Sequence, residues 1–458
     1  MPARRAADVV EIDISAVGPD GDGKGWLGRT RITVPFTIPG ERVRVRAGRA
    51  RDGEVAGDLL DVLTPSADRV VARCRHFGPA SAAPCGGCTW QHIAYPRQLA
   101  LKRGLVRDAL RRVLRDPPDV RSTIGLGTDA PWGFRQKVHF TLAPSARRRG
   151  HVMGHYARGT RDVVPVRECP VHAAPGNAAA FRVADAAASA GADLGLRGLL
   201  ARVSHATGRV MVTLVSDGPP GRALRALTRR ALLSDPAVVS VSVSVHSGRG
   251  SLILGDETRL VAGEPRLTEV IDGTTYLVSP SAFFQTSCAA ATRLVSEVLA
   301  QVPPDLPVLD LYCGGGLFAL PIARRGQPVV GIEANRLAIA DAVASRHANR
   351  IPASRCRFIA APVEAALRRV SSGEARVVIM DPPRAGASER VLDDVLRQLR
   401  PRVLVYVSCD LESLARDLGH IERGGYRVSR VQPIDMFPHT ADVETVAVAE
   451  PSVESGRD

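Results

Sequence analysis

No stretch of this 458-residue chain is apolar for long enough to span a bilayer, which argues against a helical membrane protein. The first residues, Met1-Pro2-Ala3-Arg4-Arg5-Ala6-Ala7-Asp8, carry no apolar core after the arginines. A secretory signal is therefore not expected, and the expected compartment is the cytoplasm. No internal repeat is evident, which argues against a solenoid. A disulfide framework is missing too. Of the eight cysteines, Cys74, Cys85, Cys88 and Cys169 fall in polar, Gly- and Pro-rich surroundings, and Cys288, Cys313, Cys356 and Cys409 lie beside expected strands and helices. In a cytosolic chain, Cys-x-x-Cys points to a metal or to redox work.

What is present is a soluble composition, 45% hydrophobic and 24% charged. The length allows two to four domains. Sixty-one basic residues against 47 acidic ones give a net charge of +14, which favours a polyanionic partner.

Residues 1 to about 65 read as a small β-barrel of short strands joined by Gly and Pro turns. The expected strands are Val9 to Ile14, Thr30 to Phe36, Glu41 to Arg46 and Val55 to Leu63, with Gly18 to Gly28 as a loop. Arg42, Arg44 and Arg46 alternate, so their guanidiniums share one face. That stripe suits phosphate contacts or the protection of an edge strand, with equal weight.

Residues 66–265 read as a central α+β domain with a cysteine site. The glycines inside Cys85-Gly86-Gly87-Cys88 let the backbone curl so that both sulfurs face one metal. Cys74 lies upstream, and Cys169 offers a distant fourth thiolate. Four thiolates can hold zinc or an iron–sulfur cluster, and spacing alone leaves both open. A basic helix is expected over Tyr95 to Leu114, a strand over Gly133 to Phe140, and a basic loop at Arg147, Arg148 and Arg149. Strands are expected at Ala201 to Ser204, Val210 to Ser216, Val238 to His246 and Ser251 to Leu254, around a helix near Ala223 to Leu233.

Residues 266–452 alternate strand and helix, as a doubly wound α/β sheet does. Residues 453–458 are expected to be a disordered tail. Three strand-like runs end in chemistry: Val308 to Leu311 in Tyr312-Cys313-Gly314-Gly315-Gly316, Val377 to Met380 in Asp381-Pro382-Pro383-Arg384, and Val403 to Val407 in Ser408-Cys409-Asp410. Open α/β sheets build their sites at such carboxyl ends. A lone cysteine is usually a small buried hydrophobe; at this position Cys409 becomes a candidate nucleophile. The glycine turn followed by Glu333, at the end of the next strand, fits an adenosine-containing cofactor. NAD and S-adenosylmethionine both satisfy that pattern.

Four motifs then occur in order: Asp310-Leu311-Tyr312-Cys313-Gly314-x-Gly316, Asp381-Pro382-Pro383-Arg384-x-Gly386, Tyr406-Val407-Ser408-Cys409-Asp410, and Asp435-Met436-Phe437-Pro438-His439-Thr440-x-x-Val443-Glu444-Thr445. Together they resemble the RNA 5-methyluridine methyltransferases that use S-adenosylmethionine. The first 65 residues resemble the small RNA-binding barrel, the TRAM domain, often fused to them, and the four cysteines resemble their 4Fe-4S site. The resemblance spans almost the whole chain.

It implies a C-terminal methyltransferase domain over 266–452, with Cys409 attacking carbon 6 of a uridine and Glu444 removing the carbon-5 proton. Gln285, Tyr312, Glu333 and Asp381 match cofactor-binding positions, and Cys74, Cys85, Cys88 and Cys169 would hold the cluster. It also implies that the helix over 95–114 packs on the catalytic domain, that the chain is a monomer without membrane contact, and that the RNA is ribosomal ahead of transfer RNA. Arg42, Arg44, Arg46, Arg135 and Lys137 would hold its backbone. The chain departs from the pattern at Ser287, where Asn is usual, at Ala361-Pro362, which lack the expected adenine-contacting acid, at Leu317, where some members have Asn, and at Leu411, where Pro is common. Those departures keep a second reading in view, an RNA-binding protein with a vestigial methyltransferase fold. An NAD-dependent oxidoreductase lacks a matching fingerprint.

Overall fold

The structure is a computed structural model that describes residues 8–51, 53–81, 83–127, 131–144, 151–189, 194–246, 254–255, 257–368 and 376–452. The Arg147-to-Arg149 loop, most of the strand expected at Ser251 to Leu254, and the 453–458 tail lie outside these residues. Among the described residues no helix is long and apolar enough to cross a membrane.

The N-terminal strands β1 (Val9–Val17), β2 (Gly23–Leu27), β3 (Thr30–Val34), β4 (Arg42–Arg51) and β5 (Glu54–Thr64) close into a barrel in the order β1-β2-β3-β5-β4. Ile12, Ile14, Ile32, Val34, Val43, Val45 and Val55 fill it. β2 corrects the expectation of a loop over Gly18 to Gly28. Its sequence, Gly-Lys-Gly-Trp-Leu, hides the alternation because glycine has no side chain to show which face it takes. β4 corrects the edge-strand reading: it pairs with both β1 and β5. Its arginines are partly neutralised, since Glu11 accepts from Arg44 at 3.1 Å and from Arg42 at 3.4 Å.

A cysteine-bearing loop leads to α1 (Tyr95–Arg111). The central strands β6 (Lys137–Pro144), β7 (His151–Tyr156), β8 (Val163–Pro165), β9 (Leu196–Val203), β10 (Val210–Ser216), β11 (Val238–Val245) and β12 (Glu257–Gly263) form one sheet, ordered β12-β11-β10-β9-β6-β7-β8. Helices α2 (Ala174–Ser189) and α3 (Arg222–Ser234) accompany it. α2 has no counterpart in the sequence reading, because its run of alanines gives no clear apolar period. The Arg158 guanidinium donates to both oxygens of Asp22, at 2.7 and 2.6 Å, and ties this sheet to the barrel.

A hairpin of β13 (Leu267–Ile271) and β14 (Thr274–Val278) and helix α4 (Cys288–Ala300) introduce the last sheet. Its strands are β15 (Val308–Leu311), β16 (Val329–Glu333), β17 (Cys356–Ala360), β18 (Val377–Met380), β19 (Val403–Ser408), β20 (Tyr426–Ile434) and β21 (Glu444–Pro451), ordered β17-β16-β15-β18-β19-β21-β20. The first five are parallel, and β21 runs antiparallel to both β19 and β20. The connecting helices are α5 (Ala319–Arg324), α6 (Arg336–Ala348), α7 (Val363–Leu367), α8 (Glu389–Asp393, continued by a π-helical segment, Asp394–Leu399) and α9 (Leu411–Arg423). Alternate β19 residues serve two cores, as period two demands. Leu404 and Tyr406 join Val106 and Leu110 of α1 and Leu414 and Leu418 of α9; Val405 and Val407 join Leu294 and Val298 of α4.

Candidate active site

Five adjacent strands present five of the candidate residues along one edge of the last sheet. In spatial order these are Glu333 ending β16, Tyr312 after β15, Asp381 after β18, Cys409 after β19, and Glu444 opening β21. Because β21 runs the other way, its first residue meets the carboxyl ends of its neighbours. The ladder between β19 and β21 ends at Ser408 and Thr445, so Cys409 and Glu444 flank its last pair.

The electrostatics agree with that proximity. Burial pushes the half-buried Cys409 thiol up to about 11, the Glu444 and Asp381 carboxylates add to the rise, and the Arg384 guanidinium beside it pulls the other way. Burial and the neighbouring Asp381 hold Glu444 well above the usual carboxylate range, against Arg384. Asp381 itself is pushed up to about 7, chiefly by burial. Two carboxyls this close cannot both ionise easily, so they titrate as a pair. Arg384 is the residue sequence reading missed. It was visible as the last member of Asp381-Pro382-Pro383-Arg384, but nothing in the chain order places it beside a thiol 25 residues on.

Local structure fixes the thiol. Asp410 caps α9, its Oδ1 accepting from the Ser413 amide at 2.8 Å. Ser408 Oγ and the Asp410 backbone are joined in both directions, at 3.0 and 3.2 Å. The thiol is thus held between a strand end and a helix start. Glu444 is approached through the 435–443 loop, in which His439 takes a left-handed φ of 65°. Gln98 of α1 accepts from the His439 amide at 2.9 Å, and the Trp132 ring stacks on the imidazole at 4.0 Å.

The cofactor side is a glycine turn. Tyr312, Gly314 and Gly316 all have positive φ, at 61°, 52° and 84°. A side chain at Gly314 or Gly315 would enter open space, so the turn leaves room for a ligand against its backbone. Glu333 accepts from the Gly314 amide at 3.2 Å and the Asn335 amide at 2.7 Å. Asp310 is fully buried; burial and the carboxylates of Asp381 and Glu333 raise it well above its usual range, and its Oδ1 has no partner. Tyr312 is half-buried, and burial with Glu364 and Asp417 nearby pushes its hydroxyl up to about 12. Gln285 lies half-buried in the loop before α4.

A cleft of about 1080 Å³ reaches Cys409 from the barrel side. Cys74, Cys85, Cys88 and Cys169 line a second cavity of about 150 Å³. Burial and the mutual repulsion of the sulfurs push Cys88 up to about 12 and Cys169 up to about 11, a penalty that any bound metal cation would offset. The Gly87 amide donates to Cys85 Sγ at 3.4 Å. Sequence reading missed the imidazoles here: His155, Cys169 and His172 bring donor atoms within 4.8 Å of one another. Arg135 is half-buried and lines this same cavity. Lys137 is half-buried against the Phe283 ring, 5.9 Å from its centroid, and burial lowers it to about 8.

The family model for tRNA (uracil-5-)-methyltransferases matches residues 271–450, the part of the chain that carries this row. An uncharacterised RNA methyltransferase of Thermosynechococcus vestitus is 35% identical over 96% of this chain and 97% of its own length. The chain belongs to this family of RNA methyltransferases. Another uncharacterised member, from Halalkalibacterium halodurans, is 31% identical, covering 97% of each chain. Among solved structures, the Pyrococcus abyssi tRNA (uracil-54, C5)-methyltransferase, crystallised with S-adenosyl-L-homocysteine, is 27% identical with a TM-score of 0.74. It covers 96% of this chain and 99% of that one. In this RNA methyltransferase the similarity therefore includes the barrel and the cysteine-bearing domain as well as the catalytic sheet.

Proposed function

We propose that the protein methylates carbon 5 of a uridine in RNA through a covalent adduct with Cys409. The observation that supports the reading is that Cys409 and Glu444 flank the last pair of one strand ladder, where Glu444, Asp381 and Arg384 all act on the thiol in charge.

Carbon 5 of uracil is a poor nucleophile while the ring is conjugated. Cys409, as thiolate, adds to carbon 6 and leaves carbon 5 as an enolate carbon, which takes the methyl group. Arg384 favours the thiolate. Glu444 then accepts the carbon-5 proton; its burial makes its carboxylate a stronger base than an exposed one. Loss of that proton re-forms the carbon 5–carbon 6 double bond and expels the Cys409 thiolate. The ring regains its conjugation with one hydrogen replaced by methyl.

S-adenosylmethionine supplies the methyl group. Gln285, Tyr312, Glu333 and Asp381 are the residues assigned to hold it. The open glycine turn leaves room for the ligand against its backbone. Cys74, Cys85, Cys88 and Cys169 would hold a 4Fe-4S cluster, which would staple the loop before α1 to the central sheet. The barrel is assigned as the TRAM domain. The RNA is ribosomal in this proposal, with transfer RNA the alternative; the enzyme is a cytoplasmic monomer.

Incubation with labelled S-adenosylmethionine and RNA from cells lacking the protein tests the reading. Wild-type protein should form 5-methyluridine at a site that mapping then identifies, and Cys409→Ala should form none. Full transfer by Cys409→Ala would reject the adduct.

A further inference from the structure

We infer that Trp26, exposed on the outside of the barrel, is a stacking platform for an RNA base flanking the target uridine. The inference rests on the RNA methyltransferase reading and names the element that would hold the strand.

Trp26 is 54% exposed, whereas Trp90 is fully buried. An isolated exposed ring needs no explanation. This one, however, lines the same cleft as Cys409. It is also braced: Arg31 pairs with it directly across β2 and β3, and the guanidinium lies 5.6 Å from the ring centroid. The walls include Lys24, Trp26 and Arg31 from the barrel, Arg112 at the end of α1, Cys409 after β19 and Arg416 of α9. At about 1080 Å³ the cleft sits at or above the upper size of typical small-molecule pockets, roughly 300–1,000 Å³. It has room for a strand rather than one base.

Two of the cations that line the cleft are already engaged. Lys24 is engaged, donating to Thr33 Oγ1 at 2.7 Å and Glu54 Oε1 at 3.1 Å. Arg416 donates to the Ala385 carbonyl at 2.7 Å and to Asp417 at 2.8 Å. Asp108 and Glu412 line the same walls. A ring face tolerates such a mixed field, and every base offers a π-face to it. The occupant that fits is single-stranded RNA whose target base has left the stack.

The test compares wild type, Trp26→Ala and Trp26→Phe. Methyl transfer to bulk ribosomal RNA from cells lacking the protein gives KM and kcat. RNA titration of the intrinsic fluorescence gives a readout that does not depend on turnover. Trp26→Ala should raise KM about tenfold with kcat within twofold of wild type, and Trp26→Phe should restore most of the loss. RNA should quench wild-type fluorescence, and Trp26→Phe, which keeps Trp90 and Trp132, should lose most of that quenching. An unchanged KM in Trp26→Ala, or quenching that survives Trp26→Phe, overturns the platform. If wild type transfers no methyl group to any RNA, the active-site reading fails instead, and the quenching experiment decides the platform alone.

Discussion

Lys102 and Asp435, 333 positions apart, form a fully buried ion pair with Nζ–Oδ1 at 2.5 Å. Lys102 also donates to the carbonyls of Phe437 and Asp442, at 3.0 and 2.7 Å. One side chain on α1 thus spans the loop that delivers Glu444. Removing it strands a buried carboxylate, at a cost on the order of 3–5 kcal/mol. Lys102→Ala should therefore lower the melting temperature of the catalytic domain and reduce methyl transfer together. Lys102→Met combined with Asp435→Asn should recover part of the stability, because neither buried charge remains. Calorimetry of the two variants checks this; equal melting temperatures for Lys102→Ala and wild type would refute it.

Glu444→Gln keeps the shape of the site and removes the base. The variant should methylate carbon 5 and stop before elimination. Protein carrying covalently attached RNA should build up and be retarded on a denaturing gel, while Cys409→Ala gives no such band. Free turnover by Glu444→Gln at the wild-type rate would remove Glu444 from the mechanism.

The Asp381–Glu444 pair gives opposite pH signs for activity and stability. Both carboxyls are held above their ordinary range, and Asp381 reaches about 7. The base must be ionised and the thiol must lose its proton, so the transfer rate should rise with pH. Asp381 binds its proton more tightly in the folded protein than in the unfolded chain. Its contribution to stability is therefore full below the ordinary Asp value of 3.8 and is lost as pH rises to about 7. A pH–rate profile beside thermal melts over the same range tests both limbs, and Asp381→Asn should shift each.

Arg384 is the charge that favours the Cys409 thiolate, against burial that pushes the thiol up to about 11. Each unit of pKa changes the thiolate fraction roughly tenfold at a pH below it. Arg384→Ala should slow alkylation of Cys409 by iodoacetamide several-fold at pH 8. Mass spectrometry of the modified peptide follows this without any RNA, and an unchanged rate would exclude the role.

The four-cysteine cavity should yield brown protein with broad visible absorption when purified without air. Cys85→Ser or Cys169→Ser should bleach it and lower the iron content. Colourless wild-type protein carrying one zinc ion would replace the cluster with a single-ion site, for which His155 and His172 are at hand.

Much of the last sheet was legible because its chemistry sits at strand ends. β-branched runs such as Val403 to Val407 announce a buried parallel strand, and the residue after the run must lie at the sheet edge. Cys409 and Asp381 followed from that rule. The barrel was legible except for β2, whose glycines erase the alternation. The helix over Ala174–Ser189 was not read, because alanine fits a core or a surface equally.

The sequence by itself determined which groups could do chemistry: a thiol, two carboxylates, a glycine turn and four further cysteines. Only the tertiary structure decided which of them meet. The reversal of β21 brings Glu444 to the strand end that carries Cys409, and Arg384 acts on the thiol from the next strand end. Arg135 turns toward the cysteine cavity, and Trp26 shares a cleft with the thiol. The reason is physical. Local pattern fixes which face of an element is buried, but contacts between residues hundreds of positions apart depend on strand order and direction, and those are settled only when the whole core packs.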